Sequence, residues 1–214
     1  MITVTSIKRS DYAPWLLERH YARRMCQVDH AFGLFDNGAL LGVITFGRPP
    51  NNQLNQVAGF ACLELNRFCI DENACKNAAS ILIGRSLRML PKPRVVISYA
   101  DPDQGHVGYI YQATNWIYTG TGSSDIEFIK DGNQYHRKSL FNRFGTGSVE
   151  FLVSRGYRPV VVQGKHRYVY FVGSKSQRRS MRAALRYPVE PYPKGETRRY
   201  DASAPVQTQG VLSL

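Results

Sequence analysis

No apolar run in the 214 residues approaches the roughly 20 residues that a membrane-spanning helix needs. The longest, such as Ala39 to Phe46 and Val95 to Ala100, fit the interior of a soluble domain instead. No cationic segment followed by a long apolar stretch opens the chain, so no secretory signal is expected; the protein is placed in the cytoplasm, with no membrane partner. Cysteine is sparse: Cys26, Cys62, Cys69 and Cys75 include no C-x-x-C pair, which argues against a zinc ribbon or a dithiol redox motif. Cys62 and Cys69 lie in strand-like apolar sequence and read as buried thiols. His20, His30, Asp101 and His106 lack a diagnostic ligand spacing, so no metal site is assigned and metal dependence stays open. There is no internal repeat.

Acidic residues are scarce towards the end. Residues 130 to 200 hold 16 Lys or Arg against four Asp or Glu, whereas residues 1 to 129 hold 12 against 11. The net charge of +12 therefore belongs to the last third of the chain. Concentrated positive charge suits a polyanion, because each phosphate it neutralises releases condensed counterions. Aromatics interleave with the cations in Lys165-His-Arg-Tyr-Val-Tyr-Phe171, a pattern that suits nucleic acid.

What is present reads as one principal α/β domain. Ile2 to Ile7 alternates as a strand, and Ser10 caps a helical pattern that runs to His20-Tyr21. Asp36-Asn37-Gly38 separates two apolar segments as a tight hairpin turn. Ala61 to Ile70 is a strand, and Asn77 to Leu90 a helix closed by Pro91 and Pro93. Arg94 to Ala100 is a buried strand leading through Asp101-Pro-Asp-Gln104 into a helix over Gly105 to Asn115, and Trp116 to Thr119 is again a strand. Beyond Gly122 the pattern loosens. A helix is expected over Ser148 to Arg155, a hairpin between Arg158 to Val162 and His166 to Val172, and a basic helix over Ser174 to Leu185. The chain divides into a core over residues 1–122, a basic part over 123–195 that packs on the core and completes it, and a flexible tail over 196–214.

The order from Phe32 to Gly120 resembles the core of the N-acetyltransferase superfamily, with a mixed, mostly antiparallel sheet flanked by helices and here a basic C-terminal extension. In that fold the strand over Leu63 to Ile70 splays from the strand over Arg94 to Tyr99, which implies a wedge for the pantetheine of acetyl-coenzyme A beside Phe68, Cys69 and Ile70. The pyrophosphate would meet the helix opening at Asn77, Ala78, Ala79 and Ser80. The superfamily's usual Gln/Arg-x-x-Gly-x-Gly/Ala loop is missing.

A narrower resemblance lies in Glu64-Leu-Asn-Arg-Phe-Cys-Ile70, in Ser98-Tyr-Ala-Asp-Pro-Asp-Gln-Gly-His-Val-Gly-Tyr-Ile-Tyr-Gln-Ala-Thr-Asn115, and in Lys165 to Phe171. His20-Tyr21 and Phe46-Gly47 fit the same pattern, and together these blocks are similar to the Mom family of phage proteins. The resemblance implies modification of the exocyclic amine of adenine in phage DNA, protecting it from restriction, with a carbamoylmethyl-type group rather than a simple acetyl. Adenine N6 is a poor nucleophile whose lone pair is delocalised, so it must be positioned and relieved of a proton. Asp101, beyond the end of a buried strand, is the first candidate base, with a loop-capping role as its alternative. His106, at the start of the next helix, orients the base or shuttles protons, and the helix dipole there favours its neutral form. Ser98 bonds the thioester carbonyl or the incoming base, unless the backbone already satisfies it. Tyr111 protonates the departing thiolate or packs in the core. Gln112 and Asn115 bind cofactor amides, and His20 flanks the cleft.

The target base must be flipped or unpaired to reach such a cleft. Lys138, Arg143, Lys165, Arg167, Arg178, Arg179 and Arg182 are expected to grip phosphates, with Tyr168 or Tyr170 stacking on a base. A homodimer is left open. The rival readings are an N-acetyltransferase for protein, RNA or a small amine, and a DNA-binding protein without turnover.

Overall fold

A computed structural model describes residues 1–50, 54 and 57–195. It opens with β1 (Ile2–Ser6) and α1 (Arg9–Pro14), which begins at Lys8 with the Asp11 carboxylate accepting from the Lys8 amide, rather than at Ser10. The helix widens over Trp15–Arg19, where the His20 amide donates to the Trp15 carbonyl, five residues back. That single wide turn ends the helix and presents His20 and Tyr21; turns of this kind gather at functional sites.

The expected hairpin forms as β2 (His30–Asp36) and β3 (Ala39–Gly47), with Asn37 and Gly38 in the left-handed region that the two-residue turn needs. β4 (Cys62–Ile70), α2 (Ala78–Met89) and β5 (Arg94–Ala100) follow as expected. The helix after Asp101 is shorter than expected: a 3₁₀ turn spans Pro102–Gln104, and α3 covers only Tyr109–Ala113. Left-handed backbone at Gly105 and Gly108 separates the two.

After β6 (Ile117–Thr121) the chain forms a separate unit made of β7 (Asp125–Lys130), β8 (Asn133–His136), α4 (Arg137–Phe144), α5 (Val149–Ser154) and β9 (Arg158–Val162). It then returns through β10 (His166–Val172) to α6 (Lys175–Ala183). The expected hairpin of Arg158 to Val162 with His166 to Val172 does not form. β9 pairs with β7 in a three-stranded sheet of order β8-β7-β9, and β10 enters the large sheet between β5 and β6. The large sheet runs β1-β2-β3-β4-β5-β10-β6 and is antiparallel except where β4 meets β5. Central placement explains β10: Tyr168, Val169, Phe171 and Val172 are all buried, so both of its faces are covered.

Apolar residues of α2 and α3 cover one face of the large sheet around Ile44, Phe46, Leu65 and Val96. The other face is covered by Met181 of α6 over Val95, Ile97 and Val169, and by Trp15 and Leu16 over Val43. The small unit has its own core of Phe128, Leu140, Leu152 and Tyr157. The tail over 196–214 lies outside the described residues. Among the described residues no helix is long and apolar enough to cross a membrane.

Candidate active site

The site begins where β4 leaves β5. The two strands run parallel and pair only from Cys62 with Val95 to Leu65 with Ser98. β4 then carries an extra residue, Asn66, because Phe46 of β3 faces Leu65 while Thr45 faces Arg67. Such a bulge bends a strand, here away from β5. Asn66 is held by side-chain bonds, accepting from Thr45 Oγ1 at 2.6 Å and donating to the Gln27 carbonyl at 2.7 Å. Past it, Asn66 to Ile70 are only partly buried although they still pair with β3, and their other edge has no strand partner among the described residues.

Ser98 sits at the apex of the fork between β4 and β5, fully buried, with its hydroxyl 2.9 Å from the Leu65 carbonyl and 2.8 Å from the Tyr111 hydroxyl. A carbonyl can only accept, so the serine proton goes to Leu65 and the tyrosine proton to the serine. Burial holds the Tyr111 hydroxyl far above its ordinary pKa. Ser98 thus ties the strands together at the fork and connects them to α3.

Asp101 follows β5 directly and is buried. One carboxylate oxygen accepts from the Asp103 amide at 3.1 Å, closing the 3₁₀ turn, and the other pairs with the Lys165 ammonium at 2.8 Å. Lys165 precedes β10, whose first residue, His166, faces Ala100. Burial works against the Lys165 ammonium, but Tyr21 and Asp101 outweigh it and its pKa is raised. The Tyr21 ring stacks on His20 at 4.3 Å between centroids and meets His106 edge-on at 6.1 Å. His106 lies before α3 rather than on it, so burial, partly opposed by Asp101, keeps it neutral, and not a helix dipole. Glu64 and Arg67 of β4 complete the charged surroundings. Burial raises the Glu64 pKa against the pull of Arg67 and Lys165.

His20 is 6% exposed, accepts from the Ala22 amide through Nδ1, and has its pKa lowered to about 3, first by burial and then by Arg67 and His106. In the unfolded chain it titrates near 6.5, so between these values the unfolded state binds the extra proton. Stability therefore rises with pH through this window and is lost on acidification. At pH 4 the loss at His20 is roughly 3 kcal/mol, and His106 adds to it in the same direction. We expect His20→Gln to flatten the decline in urea midpoint between pH 6 and pH 4; equal slopes in parent and variant would refute this assignment.

The remaining expected site residues divide. Phe68 and Ile70 turn towards the α2 side of β4, while Cys69 packs beside Val43 on the opposite side, where burial pushes its thiol up to about 12. Asn77 takes the left-handed conformation before α2 and makes no side-chain cap; the Ala78 amide donates to the Cys75 carbonyl at 3.1 Å, while those of Ala79 and Ser80 have no intrahelical acceptor. These features fit a pantetheine along the free edge of β4 and a pyrophosphate at α2. Gln112 does not fit: its amide donates to the Val107 and Pro193 carbonyls and to the Tyr168 hydroxyl. Asn115 ends α3 with a positive φ of 60°.

Of the expected phosphate-binding residues, Lys165 belongs to the Asp101 pair. Arg167 donates to Thr119 Oγ1 and to the Thr119 carbonyl and lies 3.5 Å over the Tyr187 ring, so it is spent inside the fold. Tyr168 is fully buried against Tyr111 and Tyr118, which excludes base stacking. Lys138 and Arg143 are exposed on α4, and Arg178, Arg179 and Arg182 are exposed on α6. Sequence reasoning missed Tyr21 and Lys165 as parts of the site. Both stood in the quoted blocks, but nothing local showed that Lys165 pairs with Asp101 or that Tyr21 lies between His20 and His106.

Residues 1–194 match the model of the Mom protein family. The chain belongs to the Mom protein family. This Mom-family chain is 28% identical over 188 residues to the methylcarbamoylase mom of Escherichia phage Mu, a match covering 82% of this chain and 77% of that protein. Similar solved structures include the spermidine/spermine N-acetyltransferase SpeG of Vibrio cholerae, with TM-score 0.48 and 12% identity over 86% of this chain and 99% of that one. An N-acetyltransferase from Staphylococcus aureus Mu50 has TM-score 0.48 and 14% identity over 80% of this chain and 99% of its own.

Proposed function

We propose that this protein is an acyl-coenzyme-A-dependent transferase that modifies the N6 amino group of adenine in DNA, protecting it from restriction. The reading rests on one observation above the others: the fork between β4 and β5 opens beside buried Asp101 and its half-exposed partner Lys165, with His20, Tyr21 and His106 around them. The name of the phage Mu relative, a methylcarbamoylase, supports transfer of a carbamoylmethyl-type group, and membership of the Mom family, with the resemblance read in the sequence, supports adenine in DNA as the substrate.

The coenzyme, acetyl-coenzyme A in the simplest case, supplies an activated thioester when bound. Asp101 accepts the N6 proton. Both of its oxygens are engaged, yet each has a second lone pair, so it orients an incoming N–H without losing its present partners. Lys165 fixes the carboxylate and keeps positive charge where negative charge develops during transfer. Neutral His106 and the Tyr21 ring border the place of the purine. Tyr111 retains its proton at neutral pH and, donating it in a hydrogen bond to Ser98 Oγ, fixes the apex of the fork; the departing thiolate takes its proton from solvent. Attack of N6 on the thioester carbonyl, with its proton passing to Asp101 and the thiolate as leaving group, gives an N6-acyl adenine; a carbamoylmethyl-type group on N6 requires an alkyl C–N bond and a second nitrogen donor, and is not the product of this step.

Mass spectrometry of nucleosides from a plasmid propagated with the protein tests this. The expected result is a new modified adenine nucleoside and loss of restriction cleavage. Unmodified DNA together with acetylated protein, RNA or amine, or DNA binding with no product at all, would overturn it.

A further inference from the structure

Outside the active site, the described residues form a cavity of about 510 Å³ in the small unit, between the starts of α4 and α5. Its wall carries Arg137 and Lys138, the His136 ring, and Phe141 one turn further along α4. Leu140 of this helix is 1% exposed and faces the small core, whereas Phe141 is 54% exposed and leaves its ring open to the cavity. Arg137 is held in place by a bond from Nε to the Gly147 carbonyl at 3.0 Å, and its two terminal amino groups make no hydrogen bond to the described residues. One carboxylate, Asp125, also borders the cavity and accepts from the Ile126 amide. Arg137 and Lys138 thus stand at the cavity against Asp125 on its rim and Glu150, which accepts from Ser148 and attracts Arg137 from beyond the lining, around an exposed aromatic ring.

One rim of the cavity is also linked to the Asp101 region through the chain. Asp125 pairs across the small sheet with Val162. The next residue, Gln163, donates its amide to Asp103, which in turn donates its own amide to Asp101. Through Lys165, two residues further on, the same segment reaches Asp101 directly.

We infer that this cavity holds one nucleotide of the DNA strand whose adenine enters the site, its phosphate on Arg137 and Lys138 and its base on Phe141. The identity of the polymer rests on the function proposed above; the placement rests on the cavity. A preformed planar guanidinium can bridge two oxygens of a tetrahedral phosphate. An exposed ring beside it accepts any base, since every base has a π-face. The site then grips the strand without reading its sequence.

The test is fluorescence anisotropy of the full chain with a labelled single-stranded oligonucleotide and its duplex, without acyl donor, with heparin as a polyanion that has no bases. Phe141→Ala is expected to weaken oligonucleotide binding by about 5- to 150-fold and to leave heparin binding unchanged. Lys138→Gln is expected to weaken both and to lower the slope of log affinity against log salt by about 0.7 on the single strand. Both side chains are exposed, so unfolding midpoints should match the parent and exclude misfolding. Parental oligonucleotide affinity in Phe141→Ala, or equal losses towards heparin, would overturn the inference. If the parent modifies DNA while both variants bind and modify at its rate, the inference fails and the proposed function stands. If no modification occurs but the Phe141→Ala loss is seen, the site stands and the enzymatic reading fails.

Discussion

Asp101→Asn is expected to lower the rate of adenine modification by about 10²- to 10⁴-fold, the range that a positioned proton acceptor contributes, while leaving the fold intact. The amide oxygen of asparagine can still accept from the Asp103 amide, so the 3₁₀ turn keeps its cap. What disappears is the anion facing Lys165. The Lys165 side chain is 51% exposed and regains water, so the stability loss is that of a partly screened pair, about 1 kcal/mol or less. A large loss of turnover with a small shift in urea midpoint is thus the signature of a proton acceptor. Lys165→Met sharpens the distinction, because it leaves the buried Asp101 carboxylate without its cation and costs more stability than the aspartate change does. The measurement is modified nucleoside per protein, with denaturant midpoints taken alongside. Near-parental modification by Asp101→Asn would remove Asp101 from the chemistry and leave it only the capping role that its Asp103 bond already shows.

Local pattern and tertiary pairing part company along this chain. The β2–β3 turn was legible because Asn37-Gly38 carries its own backbone preference, and α2 because its buried positions recur at helical spacing up to Pro91. The expected β9–β10 hairpin failed because both strands alternate and a Gly follows the first, a pattern silent about which sheet each strand joins. The informative signal was in β10 itself: four of its seven residues are buried across both faces, as in a central strand and unlike an edge hairpin. The same blindness affected the site. Arg167 and Tyr168 looked like a basic aromatic surface, yet the partners that absorb them, Thr119, Tyr187 and the Val107 carbonyl, lie 20 to 61 residues away in sequence. Asp101 could be named as a candidate because the end of a buried strand is a local feature; that Lys165, 64 residues later, pairs with it could only be seen by folding.

That long-range pairing makes Gly164→Ala the second severe change, although residue 164 touches no substrate. The chain leaves the large sheet after β6 and returns before β10, and the two passages cross at Gly122 and Gly164. A Cβ on residue 164 would lie 1.8 Å from the Gly122 carbonyl oxygen and 2.5 Å from its carbon. Both are backbone atoms, so no rotamer relieves the clash and the segments must separate by more than an ångström. The bond from the Gly122 amide to the Lys165 carbonyl, 3.0 Å long, spans the same crossing and would be strained or lost. Forced overpacking of this kind costs about 1 to 3 kcal/mol. The larger effect falls on Lys165, next in sequence, whose ammonium must reach Asp101; a misplacement of about 1 Å costs on the order of 10²-fold in rate. The small unit keeps its own core around Phe128 and Leu152, so oligonucleotide binding should fall far less than turnover. Gly84→Ala, in the interior of α2 where the new methyl meets only Arg88 Nη2 at 3.9 Å, is the matched control and should be neutral or stabilising. If Gly164→Ala retained parental turnover, the crossing would not be what holds Lys165 against Asp101.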